Sequence, residues 1–248
     1  MGACRDPRTH AHQAHRIQQG LLISVHFCTG ANTPYRHVSL ECIEEEIKQC
    51  IENDMKLGLF CGSYLNHKNF GTKVLKLLKK YRGMGCDISS ADTLFIYGNN
   101  DDQDFFDLLD EVVPDKEALS IAIGIQCSDQ ETLSLCNRKF RKRSIHNLFT
   151  KWKFQIMAQV IIGLPGDDIL KIAGTLAYIA KYEPFRIQTF PLAILPNTCL
   201  FENKKKFNIK ANEAAPHELF SIGDQSQADV KKMKLTAESF AMEYNAFH

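Results

Sequence analysis

The chain has 248 residues, with 30 Lys and Arg against 29 Asp and Glu, so its formal net charge is +1. Such a charge provides no global field that would draw the chain to nucleic acid or to a membrane surface. Hydrophobic residues make up 44% of the sequence, yet no apolar run reaches the roughly 18 residues that a membrane span requires. We therefore expect a cytoplasmic protein whose main partner is a small molecule.

The beginning of the chain matches no secondary-structure pattern. Residues 1–20 are rich in His, Arg and Gln and contain no periodic apolar stretch. We expect this segment to be disordered or foreign to the folded domain.

From Leu21 onward, short apolar runs alternate with amphipathic ones, which is typical of repeated βα units and a parallel sheet. Six runs are predicted strands: Leu21–Cys28, Leu57–Cys61, Asp87–Ser90, Leu119–Gln126, Gln155–Leu164 and Arg186–Ala193. The other patterns predict helices: Ser39–Asn53, Lys68–Arg82, 105–109, Glu131–Leu135, Ser144–Trp152 and Asp168–Lys181. Repeated βα units either curve towards a barrel or spread into an open sheet, and periodicity alone allows both.

The pattern changes after Ala193. Residues Asn208–Asp229 are polar without a clear period, and a helical pattern returns over Val230–Tyr244. We expect a barrel-like domain over residues 21–200, followed by a C-terminal helical extension over 201–248.

A strand that ends in Gln126 leads into a polar turn and a predicted helix. In α/β folds, ligands bind at the carboxyl ends of the strands, so Gln126 would place an amide there. Arg138 follows twelve positions later, far enough along the next helix to return a cation to the same edge. A capped helix with a surface Arg explains these residues equally well.

The strand Gln155–Leu164 ends in a Gly-Leu-Pro-Gly turn at 163–166. Gly163 permits the close approach of a ligand or of a neighbouring backbone. Asp167 or Asp168 can cap the helix that follows. Taken alone, this is an ordinary βα turn.

In this order, three segments resemble the radical S-adenosylmethionine superfamily: Ile123–Arg138, the Ile162–Gly166 turn, and Gln188–Thr198. Enzymes of that superfamily cleave S-adenosylmethionine at an iron–sulfur cluster to make a 5′-deoxyadenosyl radical. The resemblance covers about residues 28–244 and implies an α/β fold, a partial (β/α)6 TIM-like barrel with a C-terminal helical appendage.

The tail is similar to the C-terminal region of the cobalamin-binding branch of this superfamily. In that branch a cobalamin domain precedes the barrel. The resemblance thus implies that cobalamin could be bound only through a domain that this chain lacks.

The resemblance also implies which residues contact S-adenosylmethionine. Its methionyl part would meet Gln126 and Arg138, and its ribose would meet Ser128 or the pair Ser89 and Ser90. Its methionyl amino group would lie near the segment that replaces the glycine-rich motif of the family, and its adenine would lie along the backbone at the end of the fifth strand. The methionyl amino group would thus lie near Gly62 and Ser63. The adenine would lie along the backbone of Val160, Ile161 and Gly163.

The family binds its 4Fe–4S cluster through C-x3-C-x2-C after the first strand, because three thiolates leave one iron open to the cofactor. Cys28 matches the last of these cysteines, and is the one metal ligand that the resemblance implies. The positions three and seven residues earlier are Val25 and Leu21, which cannot bind iron. We therefore expect a radical S-adenosylmethionine-like protein that is cluster-defective, with most of the nine Cys serving as packing residues.

Two further interpretations follow from these residues. Residues 1–27 look foreign to the family-like sequence that follows, which suggests a truncated or altered beginning. Alternatively, the chain is a non-catalytic barrel remnant that binds a nucleotide-like ligand or a partner.

A basic run, Arg138–Arg143, stands out in this neutral chain. Such a run can contact phosphates. A solvated face between two helices is the simpler interpretation, so we do not expect nucleic-acid binding.

Overall fold

The computed structural model describes residues 18–19, 25–29, 36–55, 57–59, 68–84, 88–94, 103–112, 120–138, 142–151 and 155–248. The strands are β1 (Gln18–Gln19), β2 (Arg36–His37), β3 (Leu57–Leu59), β4 (Ile88–Leu94), β5 (Ser120–Gln126), β6 (Gln155–Ile162), β7 (Arg186–Pro191), β8 (Lys210–Ala211) and β9 (Leu219–Ser221). The helices are α1 (Leu40–Glu52), α2 (Lys68–Lys80), α3 (Gln103–Val112), α4 (Gln130–Leu135), α5 (Lys142–Lys151), α6 (Ile169–Ala180), α7 (Cys199–Glu202) and α8 (Gln227–Phe247).

Five strands form one sheet in the sequential order β3-β4-β5-β6-β7, and every neighbouring pair is parallel. A helical segment separates each strand from the next, as parallel pairing requires. This arrangement confirms the predicted α/β class and the repeated βα units.

The predicted first strand is wrong at its carboxyl end. Val25–Cys28 form a turn in which the Cys28 N–H donates to the Val25 carbonyl at 3.2 Å. The first four residues of that predicted strand, 21–24, lie outside the described residues.

Alternate residues of β5, β6 and β7 face the helices and form an apolar core that we call the helix-side core. It is built from Ile123, Val160 and Ile187 on the sheet, and from residues such as Leu176 and Ala237 on the helices. The opposite face of the sheet is more polar. There, Gln159 Nε2 donates to Gln188 Oε1 at 3.3 Å.

A second apolar cluster lies at the carboxyl ends of the strands, and we call it the edge cluster. Its buried members are Cys127, Leu133, Cys136, Leu164, Leu192, Ile194, Leu200, Ile209, Leu219 and Ile222. Residues on both sides of the expected division at 200 therefore share one core.

The C-terminal extension packs directly on the sheet. The Asn245 side chain accepts from the Ile187 N–H and donates to the Ile187 carbonyl, both at 2.9 Å. The Tyr244 hydroxyl donates to the Pro184 carbonyl at 2.7 Å. These bonds attach α8 to the segment around β7, which is the last strand of the sheet.

Several short elements were not predicted from the sequence. The pair β8 and β9 lies in the polar stretch after residue 207, and α7 follows the Thr198 cap. Within the segment expected to be disordered or foreign, Gln18 and Gln19 pair with β2; residues 1–17 and residue 20 lie outside the described part. No helix in that part is long and apolar enough to cross a bilayer.

Candidate functional site

The carboxyl end of β5 carries a strained turn at Gln126. The Cys127 N–H donates to the Ile125 carbonyl at 2.9 Å, which closes a three-residue γ-turn around Gln126. Its φ angle is 69°, in the rare and strained form of this turn. Strain of this kind costs on the order of 1–3 kcal/mol and is concentrated at functional sites. The strained turn therefore makes Gln126 a candidate functional residue.

Gly124 makes room for that side chain. A Cβ atom at Gly124 would overlap Gln126 Nε2 and would lie 3.7 Å from Arg138 Nη2. Arg138 Nη2 donates to the Gly124 carbonyl. The absence of a side chain at Gly124 therefore lets an amide and a guanidinium lie over the same short piece of β5.

Gln126 and Arg138 are each only 6% exposed. The prediction that Arg138 returns to the strand end is correct, although Arg138 lies beyond the end of α4 rather than within a helix. Its N–H donates to the Leu133 carbonyl at 2.8 Å. The solvated-face interpretation of the basic run is wrong for Arg138, while Lys142 and Arg143 are exposed on α5.

The buried Gln126 Oε1 has no hydrogen-bond partner among the described residues. A buried acceptor without a partner costs about 1–3 kcal/mol, so a donor from a ligand would recover that energy. The neighbouring Arg138 guanidinium binds a carboxylate well. An acceptor beside a guanidinium suits a ligand that carries both an ammonium and a carboxylate.

The turn that contains Cys28 is fastened next to this pair. The His26 N–H donates to the Cys136 carbonyl, and the His26 carbonyl accepts from the Leu200 N–H, both at 3.1 Å. The Phe27 ring centroid lies 5.9 Å from Arg138 Cζ, within the range of a cation–π contact. Cys28 is a half-buried free thiol, so one candidate metal ligand lies close to the Gln126 site.

The described residues do not fit a 4Fe–4S cluster. No group of three or more His, Cys, Asp or Glu among them could hold a metal ion. The position three residues before Cys28 is Val25, which is buried and only 3% exposed. A cluster held by three thiolates therefore has no complete set of ligands in the described part of the chain.

Other cysteines near the site are buried packing residues. Burial raises the pKa of Cys127 to about 11 and that of Cys136 to about 12. Both thiols therefore stay protonated at neutral pH, and the thiolate is the form that binds metals. Cys50 and Cys199 are half-buried, whereas Cys42 is disulfide-bonded, so the expectation of a packing thiol is wrong there.

The turn after β5 is locked to α6. The Ser128 N–H donates to Thr175 Oγ1 at 3.0 Å, and the Ser128 hydroxyl lies 3.1 Å from the same oxygen. Thr175 is 1% exposed. The Ser128 hydroxyl, predicted to meet the ribose, is thus engaged with a buried hydroxyl of the next helix.

The turn after β6 is joined to the turn after β5. Thr132 Oγ1 donates to the Gly166 carbonyl at 3.3 Å. Lys171 Nζ donates to the same carbonyl at 2.9 Å and lies 3.2 Å from an Asp129 oxygen. These bonds hold the two strand ends in a fixed relation.

Asp167 and Asp168 have different roles, which the sequence left open. Asp168 caps α6, since its Oδ1 accepts from the Lys171 N–H at 2.8 Å. Asp167 is 2% exposed, and its Oδ2 accepts from the Gly163 N–H at 3.1 Å. Burial raises the pKa of Asp167 to about 7, although the Gly163 N–H opposes this shift. Asp167 thus holds the Gly163 turn, whose φ angle is 89°.

The remaining predicted site residues are placed as follows. Val160 lies in the helix-side core, and Ile161 is half-buried on the opposite face. Ser89 and Ser90 belong to β4, where Ser90 pairs with Gly58. Gly62 and Ser63 lie outside the described residues.

Comparison with known proteins gives a fold relationship. No protein-family model matches the chain, and no curated protein sequence matches it. Among solved structures, the radical S-adenosylmethionine methyltransferase TsrM from Kitasatospora setae, with cobalamin and a 4Fe–4S cluster bound, superimposes with a TM-score of 0.65 at 12% identity. That match covers 80% of this chain and 42% of TsrM.

Two other structures support the same fold. Methylornithine synthase matches with a TM-score of 0.56 at 11% identity, over 92% of this chain and 61% of the synthase. Coproporphyrinogen III oxidase from Escherichia coli, a radical S-adenosylmethionine enzyme, matches with a TM-score of 0.51 at 18% identity, over 84% of this chain and 47% of the oxidase. The chain has the α/β fold of radical S-adenosylmethionine enzymes and spans about half the length of these proteins.

Proposed function

We propose that this chain is a radical S-adenosylmethionine-like protein, a partial (β/α)6 barrel that binds S-adenosylmethionine at the carboxyl ends of its strands. As it stands, the chain binds this cofactor without a complete iron–sulfur cluster. The observation that carries the proposal is the buried Gln126 Oε1, which lacks a described partner and belongs to a side chain that lies over Gly124 together with the Arg138 guanidinium.

The methionyl part of S-adenosylmethionine matches this pair of side chains. It is an amino acid and therefore carries an ammonium and a carboxylate. Gln126 Oε1 accepts from the ammonium, and Arg138 pairs with the carboxylate while it keeps its bond to the Gly124 carbonyl. Charge-assisted bonds of this type are roughly twice as strong as neutral ones, which offsets the burial of the two side chains.

The adenosyl part extends from β5 towards β6 in this proposal. The backbone of Val160, Ile161 and Gly163 meets the adenine, and Asp167 fixes the Gly163 turn from behind. The ribose lies near Ser89 and Ser90 or near Ser128, and Ser128 must then share its hydroxyl between the ribose and Thr175. Gly62 and Ser63 complete the methionyl site.

A 4Fe–4S cluster, where it is bound, supplies the electron that cleaves S-adenosylmethionine. Cys28 is the one described residue that we propose as its ligand. The donor set of the described residues does not fit such a cluster, so we assign no radical step to them. Cobalamin would require a further domain, as the resemblance to the cobalamin-binding branch implies.

Calorimetric titration of the full chain with S-adenosylmethionine, without iron, tests the proposal. Wild type should bind, and Gln126→Ala should weaken binding about five- to 150-fold, because a lost buried partner costs about 1–3 kcal/mol. Gln126→Glu should retain binding, since it keeps an acceptor for the ammonium. Gln188→Ala is the matched control, because it removes a half-buried amide on the same sheet and should leave the affinity unchanged.

Arg138→Lys separates bidentate recognition from charge alone and should also weaken binding. Circular dichroism of each variant establishes that it is folded. A folded wild type that does not bind S-adenosylmethionine, or a Gln126→Ala variant of unchanged affinity, contradicts the proposal.

The alternative is a radical enzyme with a complete cluster. Anaerobic reconstitution with iron and sulfide distinguishes it from our proposal. We expect no stable cluster absorption. A cluster band that forms in wild type and disappears in Cys28→Ala would establish the alternative.

A further inference from the structure

A groove of about 340 Å³ lies where the C-terminal extension separates from the last strand of the sheet. Its wall on the sheet is formed by Ile162, Pro191 and Leu192. Its other lining residues come from β9, α8 and the residue before β9, and include Glu218, Phe220, Lys231, Lys234, Leu235 and Glu238. Ile162 belongs to the helix-side core, so the groove is on the opposite side of the sheet from Gln159 and Gln188.

The edge of β7 is already paired at both ends. At its beginning, the Asn245 side chain occupies the N–H and the carbonyl of Ile187. Just beyond its end, Ala193 forms an antiparallel bridge with Glu218, and the Ile194 N–H donates to the His217 carbonyl at 2.9 Å. The extension thus covers the edge, except between these two points.

Thr189 and Pro191 lie in the stretch of β7 between its contact with Asn245 and the bridge to Glu218. Backbone groups of a strand point to alternate sides, and the Leu192 N–H bonds to Ile162 of β6 at 2.9 Å. Thr189 therefore directs its N–H and its carbonyl to the outer edge, and Pro191 directs its carbonyl there, as Ile187 does. No hydrogen bond joins the outer groups of Thr189 to any described residue. This is a short open edge between two paired stretches.

Charged residues border the apolar part of the groove. Lys234 and Glu218 form an ion pair at 3.4 Å. Lys231 and Glu238 also line the groove, and neither forms an ion pair within the described part of the chain. They are seven residues apart on α8, which corresponds to about 10 Å along the helix axis. One cation and one anion thus remain available to a partner.

Apolar side chains of the groove are partly exposed. Leu235 is 53% exposed and Phe220 is 37% exposed. A groove with this lining beside an open strand edge offers backbone hydrogen bonds and a place for an apolar side chain, which are the two parts of strand-addition recognition.

We infer that this groove binds an extended peptide segment, which adds to β7 at Thr189 and continues the edge pairing made by Asn245 and Glu218. An apolar side chain of the peptide enters the groove between Phe220 and Leu235. An acidic residue pairs with Lys231, and a basic residue pairs with Glu238. The site is independent of S-adenosylmethionine binding, because it uses none of the Gln126 site.

The test uses the full chain and a fluorescein-labelled peptide, acetyl-Asp-Val-Ile-Val-Lys-amide. In an extended peptide the Asp, Ile and Lys side chains lie on one face, with the charged residues about 13 Å apart. Fluorescence anisotropy should show saturable binding. The peptide with Asp and Lys exchanged should bind about two- to fivefold more weakly, since each exposed ion pair contributes little.

Two protein variants test the charges. The double variant K231E and E238K should reverse the preference, so that it binds the exchanged peptide more tightly. Lys232→Glu is the matched control, because Lys232 is exposed and does not line the groove. It should keep the wild-type preference. An unchanged preference in the double variant overturns the assigned polarity.

Backbone methylation tests strand addition itself. Two peptides, each methylated at one of two successive backbone nitrogens of the Val-Ile pair, present a methyl group to opposite sides of the added strand. One should lose at least tenfold in affinity and the other should bind almost normally. Equal affinities overturn strand addition and leave only side-chain binding.

Leu235→Ser separates a peptide partner from a second copy of the chain. It should weaken the unmodified peptide, and sedimentation should show the same mass for wild type and variant. Absence of peptide binding, together with self-association that Leu235→Ser abolishes, overturns the inference in favour of a dimer interface.

Discussion

The helix-side core and the region at the carboxyl ends of the strands are built on the same strands, but they differ in the polarity of the side chains that they bury. In the helix-side core, β5 and β6 contribute only apolar side chains such as Ile123 and Val160. At the carboxyl ends they lead to the buried polar side chains of Gln126, Arg138 and Asp167. Apolar burial stabilises the fold without directional requirements, whereas polar burial is costly unless each group has a partner. The polar end of the sheet is therefore where a ligand would contribute most.

The buried polar residues themselves fall into two groups. Thr132, Thr175 and Thr198 are each hydrogen-bonded to a turn or a helix end. Gln126 Oε1 and Asp167 Oδ1 have no partner among the described residues. The first group explains how the strand ends are held, and the second indicates where the structure is not self-sufficient.

The largest expected effect is a cavity in the helix-side core. Leu176 is 1% exposed on α6, and Leu176→Ala should lower the free energy of unfolding by about 2–5 kcal/mol. Urea unfolding measures this change. Leu170→Ala, on the same helix but 79% exposed, should have little effect. If Leu176→Ala also weakened S-adenosylmethionine binding by the folded protein, the two regions would not be separable.

Asp167 should make the polar end sensitive to pH. Its pKa is raised to about 7 in the folded chain by burial, against about 3.9 for an unfolded Asp. Between these values the folded chain holds a proton that the unfolded chain has released. The free energy of unfolding should therefore fall as the pH rises from about 4 to about 7, by about 1.4 kcal/mol per pH unit, and then level off.

Asp167→Asn should remove that slope, because the amide does not titrate and can still accept from the Gly163 N–H. Urea unfolding at about pH 5 and about pH 8 is the measurement. We expect the variant to be more stable than wild type at the higher pH, by about 1–3 kcal/mol. Parallel pH profiles for the two proteins would mean that Asp167 does not carry the raised pKa.

Gly124→Ala should affect the polar end while leaving the core intact. Its Cβ would displace the Gln126 amide, so S-adenosylmethionine affinity should fall about tenfold, which corresponds to about 1.4 kcal/mol. Gly174→Ala is the control, since a Cβ there meets nothing within 4 Å. Equal affinities of the two variants in calorimetry would exclude the proposed position of Gln126 in the site.

Removal of the Lys171 side-chain amine should have the smallest effect. Lys171, whose side chain is 24% exposed, bridges Asp129 and the Gly166 carbonyl. Lys171→Met should lower stability by under about 1 kcal/mol, as for other exposed pairs, and Lys73→Met serves as a surface control. A loss above that of Thr175→Val would mean that the ionic contacts, rather than the buried hydroxyl, hold the strand ends together.

Local signals in the sequence identified much of the fold. Ser39 before α1 is a helix cap in the structure, as its residue type indicates. The spacing between Gln126 and Arg138 allowed their approach at the strand end, with a surface position for Arg138 as the equal alternative. These features depend on residues that are near one another in sequence, which is why a pattern could reveal them.

Features that depend on distant contacts could not be predicted. Thr175 holds Ser128 across 47 positions, and no local pattern marks such a pair. Asp167 and Asp168 are adjacent and chemically identical, so only the fold distinguishes the buried one from the cap. The β8 and β9 strands have two and three residues, which is too short for a recognisable alternation.

Asn245 prevents another strand from pairing with the beginning of β7. Its side-chain amide forms hydrogen bonds with the N–H and the carbonyl of Ile187, as a peptide group of a neighbouring strand would. Unprotected edges of parallel sheets are templates on which other chains assemble into fibrils. One side chain near the end of α8 thus closes the edge of β7 at Ile187, so that within the described part of the chain another strand can pair with β7 only at Thr189 and Pro191.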